Sequence, residues 1–169
     1  MSVVNEWTKK IAEAAVPEEI DLAPSIAHAF FSGGKERKQL FQREKKKNVQ
    51  GAFGVAEITL ILPLILQALV SSTTALSTFI SSPGLNNFLT ALNTTFSFRE
   101  LGKRKQKVAS LPDNPFLPLK NVLLVISGEL HSMGLPEEES DLITFRVLMK
   151  LLEDSAGASQ FIQKIADET

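Results

Sequence analysis

A chain of 169 residues with 44% apolar and 22% charged side chains has enough apolar material for one domain with a real core, which excludes global disorder. A net charge of −1 speaks against nucleic-acid binding driven by bulk charge, and the lack of cysteine excludes disulfides and thiolate metal sites. The charge is unevenly placed: residues 35–47 hold seven basic and two acidic side chains, whereas nine acidic and three basic residues lie from Glu129 onward.

The first 20 residues contain Glu6, Glu13, Glu18 and Glu19 and no continuous apolar run, so no secretory signal is expected there and a cytoplasmic location is. Val4, Trp7, Ile11 and Ala14/Ala15 recur at helical spacing, with Glu6, Lys9, Lys10 and Glu13 opposite. This predicts an amphipathic helix ending before Pro17, packed on a core or docked on a membrane or partner. Asp21 is placed to cap a second helix with Pro24 in its first turn; Ile26, Ala27, Ala29, Phe30 and Phe31 follow, and Gly33-Gly34 stops it. Gly-Gly-Lys is not a phosphate loop, because Lys35 precedes Glu36 and the glycine spacing is wrong. Residues 35–47 read as a basic, mostly solvated helix with only Leu40 and Phe41 as apolar anchors.

A gap in charge follows. From Asn48 to Phe98, 51 consecutive residues carry one ionisable side chain, Glu57, and twelve of the 18 Lys and Arg crowd its two edges. Within the gap Leu60-Ile61-Leu62 and Leu64-Ile65-Leu66 are apolar all round. Pro63 is expected to kink their helix, because its ring would meet the carbonyl of Thr59. Ser71 to Thr74 then interrupt, Leu76, Phe79 and Ile80 continue, and Ser82-Pro83-Gly84 reads as a turn. Leu85, Phe88, Leu89, Leu92 and Phe96 give a further stripe. Residues 55–98 are thus expected to form a central apolar helical hairpin. Its fully apolar stretch is short for a bilayer span of about 20 residues, which favours a hairpin buried in a bundle over an integral membrane one. A hairpin of this intermediate hydropathy also suits a fold that shelters it in water and exposes it to a bilayer on activation.

Leu111 to Pro118, with three prolines, reads as an extended linker. Leu119, Val122, Leu123, Ile126, Leu130 and Met133 form the next stripe, stopped by Gly134 and Pro136. Glu137-Glu138-Glu139 opens another helix, expected to carry Leu142, Phe145, Leu148, Met149 and Leu152. A last helix holds Phe161, Ile162 and Ile165. The expected fold is all-α: one helical domain over 1–169, a bundle of about seven helices. Residues 1–110 form its N-terminal part, and the acidic helices of 119–169 complete the bundle or lie as a lid on its basic face.

No enzyme is expected. His28 and His131, the only histidines, are read as partly buried helix residues, no pair has metal-ligand spacing, no serine lies in a G-x-S-x-G turn, and no cofactor is implied. The layout of residues 1–98, an amphipathic first helix, a basic helix and a weakly apolar hairpin, resembles the HeLo-type and bacterial Bell-type helical domains, similar in plan to the executioner domain of necroptosis. The resemblance implies a cytoplasmic cell-death or defence module, switched on by an upstream signalling protein, that oligomerises and permeabilises the inner face of the cytoplasmic membrane. The chain departs from that plan in its proline-rich linker. The candidate membrane contacts are Trp7 as an interfacial anchor, Lys45, Lys46, Lys47, Lys103, Arg104 and Lys105 facing anionic lipid, and Leu60, Ile61, Leu64 and Ile65 as the inserting face. The rival reading is a soluble helical adaptor that binds other proteins without nucleic acid or membrane.

Overall fold

The computed structural model describes residues 3–42, 60–82 and 117–167. Among these residues the fold is all-α, as the periodicity predicts: eight α-helices, one 3₁₀ helix and no strand. The helices are α1 (Val3–Ala15), α2 (Ala23–Ser32), α3 (Gly34–Phe41), α4 (Leu62–Ser71), α5 (Thr73–Ile80), α6 (Leu117–Ser132), α7 (Glu137–Glu153) and α8 (Ser155–Asp167). A 3₁₀ helix, Pro17–Leu22, joins α1 to α2.

In α1, Val4, Trp7, Thr8, Ile11, Ala12 and Ala15 are buried, the expected stripe widened by Thr8 and Ala12. Pro17 cannot extend the helix, and the chain tightens into the 3₁₀ turn with Glu19 N–H donating to Val16 O at 2.9 Å. Asp21 does not cap α2. It lies inside the 3₁₀ helix, and the residue before α2 is Leu22, with no side-chain cap. Pro24 sits in the first turn as expected, and Gly33, at φ 71°, ends the helix in a conformation that side chains rarely adopt. Helix α3 buries none of its residues, in keeping with its charge.

The apolar block differs from expectation in one respect. Pro63 does not kink a helix, because the helix begins beside it. Leu62 is the first residue of α4 and Pro63 falls in the first turn, where no intrahelical bond needs its missing N–H. The bend comes at Ser72, where α4 and α5 meet at 73°. Ser72 Oγ donates to Ala68 O at 2.7 Å and Leu69 O at 3.2 Å, beside Ser72 N–H, which donates to the same two carbonyls at 3.1 and 3.2 Å; side-chain bonding of this kind back to the preceding turn accompanies helix bends. The second arm of the expected hairpin, 85–98, lies outside the described residues.

Helix α6 starts at Leu117, so Pro118 belongs to its first turn and not to the extended linker; residues 111–116 lie outside the described residues. Leu119, Val122, Ile126 and Leu130 are buried, and Leu123 and Met133 pack half-buried beside them. Gly134 (φ 103°) ends α6 in a Schellman motif, with Gly134 N–H donating to His131 O at 3.0 Å and Leu135 N–H to Leu130 O at 3.2 Å. In α7 the expected stripe is out of phase. Leu148 and Leu152 are buried, but Leu142 is exposed and Phe145 and Met149 are half-buried. The face that packs is Ser140, Ile143, Thr144, Val147, Leu148, Leu151 and Leu152. The cause is tertiary: α7 lies against both α6 and α1, and the surface they share selects the face. In α8, Phe161, Ile162 and Ile165 are buried as expected, with Ala158.

One apolar cluster takes residues from α1, α2 and α4 to α8. Helix α4 packs on α6 and α2, α5 on α8 and α6, and α1 on α2, α7 and α8. The C-terminal helices therefore complete the bundle and do not form a separate lid. Trp7 stacks on Phe161 with ring centroids 5.8 Å apart, tying the first helix to the last.

Candidate functional site

The most unusual local chemistry lies around α4. Seven of its ten residues are buried: Leu62, Pro63, Leu64, Ile65, Leu66, Ala68 and Leu69. At about 1.5–3 kcal/mol for each large apolar side chain, burial is the main force holding it. It carries no ionisable side chain, and Gln67 and Ser71 are its polar residues. Its polar attachments come from the N-terminal part of the chain. Ile61 N–H donates to Glu19 Oε1 at 2.7 Å, and Leu62 N–H donates to Glu19 Oε2 at 2.9 Å. Both carboxylate oxygens thus cap the start of α4, where unpaired N–H groups and the positive end of the helix dipole favour an anion. Glu19 is only 6% exposed, held there by the 3₁₀ turn that Pro17 opens. Further along α4, Arg37 of α3 donates from a terminal guanidinium nitrogen to Gln67 Oε1 at 2.7 Å. The Arg37 guanidinium lies 4.2 Å from the centroid of the Phe30 ring, and Phe41 meets the same ring edge-on.

The expected membrane contacts are scattered by the fold. Leu60 and Ile61 are half-buried at the entrance to α4, Leu64 is 6% exposed and Ile65 is fully enclosed. Trp7 is 2% exposed, between Phe161 and Lys10, whose ammonium sits 4.7 Å from the indole centroid. For Trp7, Leu64 or Ile65 to meet lipid, the bundle has to open. Lys45, Lys46, Lys47, Lys103, Arg104 and Lys105 lie outside the described residues. Sequence reasoning missed Glu19 and Arg37. Arg37 was one of several cations in a basic run, and Glu19 one of several carboxylates before α2. Their partners are 30 to 43 residues away, so no local pattern marks them.

Nothing else among the described residues assembles catalytic chemistry. Among the described residues there is no group of three metal-ligating side chains. Both histidines are exposed, not partly buried as expected, because each lies on the outer face of its helix. Ser32 Oγ and Glu36 Oε2 approach His28 at 3.5 and 3.7 Å, but both meet the same ring nitrogen, Nδ1, so no relay forms. Glu153, hydrogen-bonded to Lys150 at 2.8 Å, raises the Lys150 pKa, as does the charge of Glu13 on the neighbouring α1, and the pair is an ordinary surface ion pair of α7. A cleft of about 310 Å³ between α5 and α8 is lined by Thr73, Thr74, Ser77, Thr78, Ser159 and Gln163, among others, with no ionisable side chain. It has hydrogen-bonding groups but no acid, base or activated nucleophile. Among the described residues no single helix is long and apolar enough to cross a membrane, while α4 and α5 taken together reach that length and hydropathy as a bent pair. Comparison with known protein families, with curated proteins and with solved structures returns no match to this chain.

Proposed function

We propose that this chain is a membrane-targeting helical effector that shelters its apolar α4–α5 pair in the resting bundle and presents it to an anionic bilayer on activation. The observation that carries the reading is the pair itself: it has the composition and combined length of a broken span, yet its core-facing residues are enclosed. In its fullest form the activity is permeabilisation of the inner face of the cytoplasmic membrane by oligomers, in a regulated cell-death or defence response to an upstream signalling protein. The basic runs flanking the charge gap would meet anionic headgroups at about 1 kcal/mol per cation near the surface. Dye release from anionic and neutral vesicles, with sedimentation of the protein on each, tests this. Release and co-sedimentation with anionic vesicles only are expected; neither release nor sedimentation at low salt would overturn it.

A second reading, a soluble adaptor, is favoured by a different observation. Leu124, 59% exposed, and Val125, 37% exposed, open apolar surface on α6, and Leu142, 42% exposed, does so on α7. Such surface serves protein partners as well as lipid.

A further inference from the structure

We propose that residues 17–41 form a clasp on α4, with Glu19 and Arg37 as its two catches, and that this clasp sets whether α4–α5 stays in the bundle. The inference rests on the membrane reading for its purpose, but its geometry stands alone.

Helix α4 is attached in two chemically different ways. Its apolar face is enclosed by α2 and α6. Its polar groups are met by the 3₁₀ turn and by α3: Glu19 takes the N–H groups of Ile61 and Leu62, and Arg37 takes the side-chain carbonyl of Gln67. Pro63 has no N–H, so these two backbone donors leave only that of Leu64 among the first three residues of the helix. Burial holds α4 far more strongly than these polar contacts do, but it does not discriminate between protein and lipid. A bilayer offers the side chains of α4 hydrocarbon in place of hydrocarbon, so their own contribution nearly cancels in the transfer, and what remains is the faces of α2, α6 and α8 that the pair uncovers. The polar contacts do not cancel. A carboxylate clamped across two helix N–H groups has no counterpart in the hydrocarbon, and unpaired backbone donors are costly there. With the partner faces the same in every variant, these smaller interactions set how readily α4 leaves.

The two catches sit differently. Glu19 is enclosed and directed at one helix end. Arg37 is half-buried on the basic helix, beside the exposed cations Lys35 and Lys38. An anionic surface that attracts Lys35 and Lys38 also competes with Gln67 for Arg37. That gives α3 a sensing role: contact with phosphate headgroups loosens the Arg37 catch and leaves Glu19 as the remaining hold.

The test uses the full chain with Glu19→Gln, Arg37→Lys and both together. Glutamine keeps the size of Glu19 but loses its charge and turns an amide donor toward one of the two N–H groups. Lysine keeps the charge of Arg37 but not its planar fork. Amide hydrogen exchange without lipid should speed up at residues 62–80 by about tenfold for Glu19→Gln and about threefold for Arg37→Lys, with α7 (137–153), which packs on α6 and α1, unchanged. Unchanged protection at 62–80 in the double variant would overturn the clasp. So would faster exchange spread equally over 62–80 and 137–153, since that reports global weakening. If Glu19→Gln does not fold, Arg37→Lys decides by the same criteria. Dye release from phosphatidylglycerol vesicles, run in parallel, should rise in the same order as exchange. Selective opening without release from any variant would keep the clasp and reject the membrane function.

Discussion

Thr8 offers a direct measure of how the bundle tolerates buried polarity. Its side chain is fully enclosed in α1, and among the described residues its hydroxyl has no hydrogen-bond partner. An unpaired buried hydroxyl costs about 1–3 kcal/mol, and valine has the same branched shape without it. Threonine and valine have similar helix propensities, so the backbone contributes little to the difference. Thr8→Val should therefore stabilise the fold by about 1 kcal/mol or more, equivalent to a Tm rise of roughly 2–4 °C per kcal/mol for a chain of this size. Thr8→Ala, which also removes a buried methyl group, should fall below Thr8→Val by about 1 kcal/mol. Urea unfolding followed by circular dichroism measures both. Trp7, the chain's single tryptophan, gives an independent fluorescence signal from the α1–α8 interface. A loss of about 1 kcal/mol in Thr8→Val would refute the reasoning and show that the hydroxyl has a partner, such as an enclosed water.

Gly157 is tightly placed in the first turn of α8. A Cβ there would press on the Asp154 carboxylate and come within 3.1 Å of Trp7 Cζ2, while that carboxylate accepts Gly157 N–H at 2.9 Å. Gly157→Ala should gain helix propensity but lose this cap and crowd Trp7, for a net loss of about 1 kcal/mol by urea midpoint and a change in Trp7 emission. On the open face of α6, Leu124→Ser with Val125→Ser should alter stability by no more than about 0.5 kcal/mol, since neither side chain belongs to the core. If the adaptor reading holds, that pair weakens partner capture by a fixed amount while leaving vesicle release unchanged. Equal loss of both would argue against a separate protein-binding face.

The sequence made the all-α class and most helix faces legible because their apolar residues recur at a single helical phase, as Val4, Trp7 and Ile11 do. Helix α7 defeated that method. Leu142, Ile143, Phe145, Val147, Leu148, Met149, Leu151 and Leu152 are apolar in nearly every direction, so only the neighbours decide which are enclosed. Pro63 is ambiguous for a related reason: proline inside an apolar run signals a kink or a helix start, and the choice rests on what precedes it. The Glu19 cap was illegible in principle. A local capping box places its partners three residues apart, whereas this carboxylate reaches a helix more than 40 residues on.

The bend at Ser72 has a dimensional consequence. As they stand, α4 with ten residues and α5 with eight are about 15 and 12 Å long, and neither approaches the roughly 30 Å of bilayer hydrocarbon. Straightened through Ser72, the run from Leu62 to Ile80 would extend about 28 Å, nearly the full thickness. The angle at Ser72 thus acts as a ruler: while it stands, neither helix has the length to reach from one face of a bilayer to the other.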